Sequence, residues 1–356
     1  MGHLPDTMTA VIFDGPGKVS VQERPVPKIQ HDGDILVKVH AAGLCGSDLH
    51  LFRGHETTSA TGFIMGHEFT GTVVAAGKGV KTVQVNDKVV SPFTVSCGHC
   101  FYCKNGSSCR CVHSLVFGSE RLDGAQAEYI RVPLADGTVV KAPPELSDDA
   151  LVLMADVFPT GFFGTRNAFA GREAQDAADT TAVVIGCGPV GLCALVAALE
   201  YKPKYVFAID SIESRLRVAE SLGAEPLNID GGLESVVNRI KAVTEGRGAD
   251  IVIEVVGQSA ALRTAYDIVR PFGSICSLGA HHSPMPFTAT EGYDKNVRIQ
   301  MGRCPVRSIF PDALKVLVKN QDLFGFMFDK IMPLSEAIEG YELFSRMQAQ
   351  KVIFKP

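Results

Sequence analysis

Little in this sequence points to nucleic acid, a membrane or secretion. Acidic residues outnumber basic ones, 39 Asp and Glu against 34 Lys and Arg, for a formal net charge of −5. Without a basic surplus to neutralise phosphates, no nucleic-acid partner is expected. Apolar runs are broken by glycine, proline or charge well short of the roughly 20 residues a membrane span needs. No charged segment followed by an apolar core opens the chain, as a secretory signal would. The last residues, Ile353-Phe354-Lys355-Pro356, are not a peroxisomal tripeptide. These absences predict a cytoplasmic protein with no membrane partner. Residues 1–7 read as an extension, since strand-like text begins at Met8. Tryptophan is absent, which excludes no function, and there is no internal repeat or low-complexity stretch.

At 356 residues, 46% hydrophobic and 21% charged, the chain exceeds a single core and predicts two globular domains. Thr9–Phe13, Val19–Gln22, Ile35–Ala41, Thr70–Ala75 and Lys88–Ser91 read as short strands between Gly and Pro punctuation, an irregular antiparallel β-domain. From about residue 150 the text changes. Strands at 182–185, 205–209, 251–255 and 274–278 alternate with helical patterns at 189–201, 214–222, 233–245 and 259–270. Leu227–Ile229 and Val297–Gln300 can supply two more strands, which completes a doubly wound α/β sheet. Gly223 and Gly273 stand where helix caps are wanted. Helices at 311–319 and 335–348 and a strand at Val352–Phe354 follow, and are expected to rejoin the β-domain. The predicted domains are therefore 1–157 with 303–356, and 158–302.

The most informative stretch runs from Thr181 to Leu199. Val183, Val184 and Ile185 suit a buried parallel strand. Gly186-Cys187-Gly188-Pro189-Val190-Gly191 is a G-x-G-x-x-G, followed by Leu192, Leu195, Val196 and Leu199 at helical spacing. Strand, glycine turn and helix together predict a dinucleotide site, with a pyrophosphate over Gly188 and the helix N-terminus. The next strand ends in Asp210, nineteen residues past Gly191, where a carboxylate binds the adenosine ribose hydroxyls. A 2′-phosphate there would face a like charge, so NAD is favoured over NADP. Ser211 offers no positive charge, and Arg215 lies one helical turn on. The competing reading is a glycine turn that only packs a helix.

Ten cysteines are present, five of them within fifteen residues. Cys97-x-x-Cys100-x-x-Cys103-x₇-Cys111, the lobe over 95–113, has the spacing to fold a loop around one closed tetrahedral zinc. A disulfide or free-thiol loop is the alternative, and Cys109 could replace Cys111. Two further segments are Cys45-Gly46-Ser47-Asp48-Leu49-His50 and Gly66-His67-Glu68.

With these motifs in order over nearly the whole length, the chain resembles the zinc-containing medium-chain alcohol dehydrogenases. The resemblance implies a GroES-like catalytic domain beside a Rossmann domain, and one catalytic and one structural zinc. It implies Cys45 and His67 as catalytic ligands and Asp156, in Ala155-Asp156-Val157-Phe158-Pro159-Thr160, as the third, where many relatives carry a second Cys. Cys45 thiolate and Asp156 carboxylate would balance Zn²⁺ while leaving an open position. The alternative for Asp156 is a helix N-cap. Glu68 follows a ligand and is expected beside the metal, able to swing in during exchange. Ser47 and His50 read as a proton relay through the cofactor ribose, against a turn hydroxyl and a solvated surface imidazole. By the same resemblance Thr160 touches the nicotinamide and Lys351 faces the pyrophosphate. Gly46 departs from relatives that place a cation there. Phe93, Phe158 and Phe117 are expected to line an apolar substrate pocket.

These readings converge on an NAD-dependent oxidoreductase that interconverts a small apolar alcohol, primary or secondary, and its aldehyde or ketone, as a homodimer or homotetramer. A polyol or formaldehyde-type dehydrogenase is the alternative within the class. A non-enzymatic NAD-binding protein is the alternative outside it.

Overall fold

The computed structural model describes residues 4–56, 58, 60–172, 178–281 and 283–356. Of the seven residues read as an extension, 1–3 lie outside the described residues, and the first strand begins at Thr7. The chain divides into two units. One runs to Pro159 and resumes over Pro305–Pro356; the other is Thr160–Cys304. Both boundaries fall two residues later than the text suggested.

In the first unit, Thr7–Gly15 and Lys18–Pro25 form an antiparallel pair. The main sheet runs in the order Ile331–Pro333, Val352–Lys355, Ile35–Leu44, Glu68–Ala76, Lys88–Ser91, Val140–Lys141. Tyr129–Val132 pairs beside the first half of Ile35–Leu44. Tyr129–Val132, Val140–Lys141 and Ile331–Pro333 are too short for alternation to mark them in the sequence. The register is what matters for chemistry. Gly43 lies opposite Glu68 on one side of Ile35–Leu44, and Leu44 lies opposite Val352 on the other. The chain therefore leaves this strand into Cys45 where one neighbour begins just after His67 and the other just after Lys351. Val37, Val39, Phe69, Val73, Val89, Phe117 and Ile130 form one core cluster of this unit. Leu44, Leu49, Met65, Tyr341, Phe344, Val352 and Phe354 belong to another. Each such side chain contributes about 1.5–3 kcal/mol on burial.

The second unit is a six-stranded parallel sheet in the order Glu225–Asn228, Tyr205–Asp210, Thr181–Ile185, Ala249–Glu254, Val269–Ser277, Arg298–Met301. The chain starts in the middle, builds two strands outward and then crosses to the other side. That puts a topological switch point between Thr181–Ile185 and Ala249–Glu254. Helices Pro189–Leu199, Glu213–Ser221, Leu233–Val243 and Ser259–Ile268 make four of the connections.

Two local expectations change. Gly223 takes positive φ past its helix, but Gly273 does not; Phe272 does, at +58°, and Gly273 lies inside the strand Val269–Ser277. The helix expected over 311–319 begins earlier, at Val306, and runs to Asn320 with Pro311 inside. Among the described residues no helix is long and apolar enough to cross a membrane.

The glycine turn shows which glycines the fold itself needs. Gly186 has φ +95°, and a Cβ on Gly191 would overlap the Gly186 carbonyl oxygen. Gly188 is different: its backbone is extended, and a Cβ there would meet nothing closer than the Arg215 guanidinium at 3.9 Å. Gly191→Ala should therefore lower stability by about 1–3 kcal/mol, whereas Gly188→Ala should leave the thermal midpoint in place and weaken dinucleotide binding. Thermal melts and cofactor titration of the two variants check this. An unshifted midpoint for Gly191→Ala would refute the close packing.

Candidate functional site

Ligand-type atoms of Cys45, His67, Glu68 and Asp156 lie within 4.8 Å of one another. Each arrives by a different route. Cys45 ends the strand Ile35–Leu44 and precedes the helix Gly46–Phe52. His67 and Glu68 stand at the start of Glu68–Ala76. Asp156 sits between a short 3₁₀ turn, Leu153–Ala155, and the helix Val157–Ala168. Asp156 Oδ2 is 3.4 Å from His67 Nε2 and 3.7 Å from Cys45 Sγ.

Asp48, given no role in the sequence reading, ties this arrangement together. Its Oδ2 accepts the Cys45 backbone N–H at 2.9 Å, and its Oδ1 accepts from His67 Nδ1 at 3.1 Å. A carboxylate at Nδ1 fixes the proton there and turns the Nε2 lone pair toward Cys45 and Asp156. The signal was visible: an acid three residues into a helix reaches back to the backbone N–H of the residue before it. Ser47 Oγ lies 3.3 Å from His67 Nε2. The Phe93 ring stands edge-on to the His67 ring, centroids 6.1 Å apart.

The charges in this cluster do not balance. Burial, then the Glu68 charge, pushes the Cys45 thiol above its ordinary range. Burial likewise raises Glu68, and the Lys351 ammonium only partly offsets it. Burial alone would lower His67, but the Asp48 charge and the Asp156 hydrogen bond hold it well above its ordinary value. Glu68 Oε2 is paired with Lys351 Nζ at 2.5 Å, while the buried Oε1 has no hydrogen-bond partner. Thiol, imidazole and two carboxylates around one point, with one lysine among them, form a donor set short of positive charge. A divalent cation with soft and borderline ligands fits it.

The second cluster is Cys97, Cys100, Cys103 and Cys111, again within 4.8 Å. Cys97 N–H points at Cys111 Sγ (3.2 Å), Cys100 N–H at Cys97 Sγ (3.3 Å) and His113 N–H at Cys111 Sγ (3.4 Å). Backbone donors aimed at sulfur stabilise thiolates. The backbone N–H groups of Cys103 and Val112 hold Cys100 down to about 6, while burial pushes Cys103 up to about 12. A closed metal shell would remove that disparity. No two cysteines are joined by a disulfide, and Cys109 is buried outside this group of four.

In the second unit, Asp210 ends its strand beside the glycine turn. Its carboxylate accepts the Cys187 N–H at 2.6 Å and the Ile212 N–H at 2.9 Å. Pro189 and Val190 open the helix over which a pyrophosphate is expected, with Gly188 as N-cap and no side chain capping it. The unfilled space above Gly188 suits an approaching phosphate.

Three expectations are corrected. Lys351 cannot face a pyrophosphate: it is wholly buried, paired with Glu68 and donating to the Leu44 carbonyl at 3.0 Å. A Cβ on Gly43 would overlap the Glu68 carboxylate, so glycine at 43 makes room for this pair. Phe117 and Phe158 do not line a pocket. Both are fully buried, Phe117 edge-on to Phe69 and Phe158 edge-on to Phe324. Phe93 is the one of the three phenylalanines beside the cluster. His50 lies one turn past Ser47 on the same helix, and Thr160 opens the second unit.

Residues 31–144 match the alcohol dehydrogenase GroES-like domain, and 189–319 the zinc-binding dehydrogenase family. A zinc-type alcohol dehydrogenase B of Aspergillus flavus is 61% identical over 348 residues, 98% of this chain and 81% of that protein. A medium chain reductase/dehydrogenase of Acremonium is 68% identical over 290 residues, 82% of this chain and 99% of that one. Among solved structures, an alcohol dehydrogenase of Thermus sp. ATN1 superposes with a TM-score of 0.90 at 36% identity, covering 98% of this chain and 99% of that one.

The buried Lys351–Glu68 pair makes a stability prediction. Lys351→Met leaves a carboxylate buried without its cation, which should cost about 3–5 kcal/mol. Adding Glu68→Gln should restore much of that loss. Urea denaturation of the two single variants and the double variant measures the coupling; strictly additive losses would dissolve the pair as an energetic unit.

Proposed function

The chain belongs to the zinc-type, medium-chain alcohol dehydrogenases, and from that premise we propose that it interconverts an apolar primary or secondary alcohol and its aldehyde or ketone with NAD. The observation that carries the reading is the convergence of Cys45, His67 and Asp156 on one point, with Ser47 beside it. When bound there, zinc supplies Lewis acidity to the substrate oxygen, and the dinucleotide accepts or returns the hydride.

The chain's own residues divide the remaining work. Cys45, His67 and Asp156 would hold the metal, the thiolate and the carboxylate supplying two negative charges that would balance a divalent cation and His67 a neutral nitrogen. Asp48 holds His67 in the tautomer that offers Nε2. Glu68, fixed by Lys351, stands next to the ligands without being needed to complete the set. The Ser47 hydroxyl receives the alcohol proton, and His50, one helical turn on, delivers it to solvent. Phe93 supplies the apolar wall that favours a hydrophobic substrate. Cys97, Cys100, Cys103 and Cys111 would hold a second zinc, whose role would be structural.

NAD is preferred over NADP because Asp210 would meet a 2′-phosphate with a like charge. Thr160, the glycine turn and Arg215 complete the cofactor contacts in this reading. The protein is read as a cytoplasmic homodimer or homotetramer. The edge strand Arg298–Met301, paired on one side and bearing a half-exposed Met301, supports an assembly.

Three measurements test the reading. Elemental analysis of protein purified without chelator should give two zinc ions per chain; one ion with full activity would remove the second site. Asp156→Asn keeps size and capping ability but loses the charge, so it should lose zinc or drop kcat/KM by about 100-fold or more, while Asp156→Cys retains zinc. Full activity in the Asn variant would leave Glu68 as the third ligand. Asp210→Gly should weaken NAD and admit NADP, read at 340 nm with a panel of alcohols, ketones, aldehydes and polyols. A wild type that already uses both cofactors alike would refute the role given to Asp210.

A further inference from the structure

In the second unit a buried polar cluster stands apart from every residue used so far. Glu254 ends the strand Ala249–Glu254 and is fully buried. Its Oε1 accepts two backbone N–H groups, from Val256 and Gly257, both at 2.7 Å. Its Oε2 accepts the Ser277 hydroxyl at 2.6 Å. His281 Nε2 lies 2.7 Å from Ser277 Oγ and 3.2 Å from Glu254 Oε2. The His281 side chain is 13% exposed.

Proton arithmetic fixes the tautomer. Glu254 only accepts, so Ser277 must donate to it, and the Ser277 oxygen is left to accept from His281. Nε2 therefore carries the proton. Both partners of His281 among the described residues are met by Nε2, which leaves Nδ1 uncommitted within the network.

The place of this network in the sheet says what it faces. Ala249–Glu254 and Val269–Ser277 lie on the other side of the glycine turn from Tyr205–Asp210. The loop after Glu254 packs on that turn: a Cβ on Gly186 would meet Val256 Cγ2 at 2.7 Å and Val255 Cγ2 at 3.1 Å. The loops after the two strands also touch backbone to backbone, since a Cβ on Gly257 would meet the Ala280 carbonyl oxygen at 2.7 Å. Ligands in such sheets lie across the carboxyl ends of the strands at the switch point. If the adenosine ribose is at Asp210 and the pyrophosphate at the helix Pro189–Leu199, the remaining half of the dinucleotide extends toward Glu254, Ser277 and His281.

We propose that His281 Nδ1 accepts a hydrogen bond from the nicotinamide-nucleoside half of the cofactor, and that Glu254 and Ser277 are positioning residues that set its tautomer and hold the two loops. The proposal rests on the reading of this unit as an NAD site.

The test compares NADH with ADP, which keeps the adenosine and both phosphates but lacks the nicotinamide nucleoside. By isothermal titration, His281→Ala should weaken NADH about tenfold, the size of one lost hydrogen bond, with ADP affinity unchanged. Ser277→Ala should weaken NADH by a smaller factor, again without effect on ADP, and Ser277→Thr should restore it. A loss shared equally by NADH and ADP, or no loss for NADH, would overturn the proposal. If His281→Ala does not fold, the paired Ser277 variants carry the same comparison. A wild type that binds neither NADH nor ADP would instead overturn the dinucleotide reading beneath it, so the two failures are distinct.

Discussion

The structure turns on an excess of negative groups at the end of one β-strand. Cys45, Glu68 and Asp156 are brought together out of water, and burial makes every charged form costly unless a cation answers it. Lys351 answers Glu68. His67 is the base that meets the Asp156 carboxylate, 3.4 Å away, and the Asp48 charge followed by the Asp156 hydrogen bond holds it well above its ordinary value against the cost of burial. A divalent ion resolves all of it at once, so the fold of this unit and the occupancy of its site are thermodynamically linked. Asp48 shows the same economy. One carboxylate orients the imidazole through Nδ1 and anchors the backbone of the cysteine beside it, so displacing either ligand strains the other.

The register of the antiparallel sheet is what makes this possible. A strand places its neighbours at fixed offsets, and a slip by one residue reverses every side chain. With Gly43 opposite Glu68 and Leu44 opposite Val352, residues separated by hundreds of positions in the chain meet at one point. Glycine at 43 then does something no local rule anticipates: it leaves room for the Glu68 carboxylate to turn toward Lys351.

That contrast explains what could be read beforehand. Motif and spacing made the cysteine lobe, the glycine turn and Asp210 legible as candidates, because each depends on residues close in sequence. Periodicity carried the long helices and the parallel strands, whose burial is nearly uniform. It did not carry Tyr129–Val132, Val140–Lys141 or Ile331–Pro333, which are held by neighbours rather than by their own pattern. Phe117 and Phe158 went astray for the same reason: an aromatic near a ligand in sequence says nothing about which way the ring turns. The role expected of Lys351 failed because proximity to a phosphate followed from a resemblance alone, while its partner is the Glu68 carboxylate, 283 positions away in the chain.

The buried network of Glu254, Ser277 and His281 extends this logic to the second unit. In both units a carboxylate that cannot reach water fixes the proton of an imidazole, and so decides which nitrogen is left for chemistry. At Asp48 and His67 the other nitrogen is Nε2, turned toward Cys45 and Asp156, the proposed metal site; at Glu254 and His281 it is Nδ1, to which the proposed cofactor contact is assigned. The two differ in consequence. Loss of Asp48 would release a ligand and a backbone turn together, whereas loss of the His281 acceptor leaves the Glu254 bonds to Val256 and Gly257 intact. Both carboxylates hold backbone in place, and in the second network it is the imidazole of His281, not Glu254, that can vary while the loop bonds stay made.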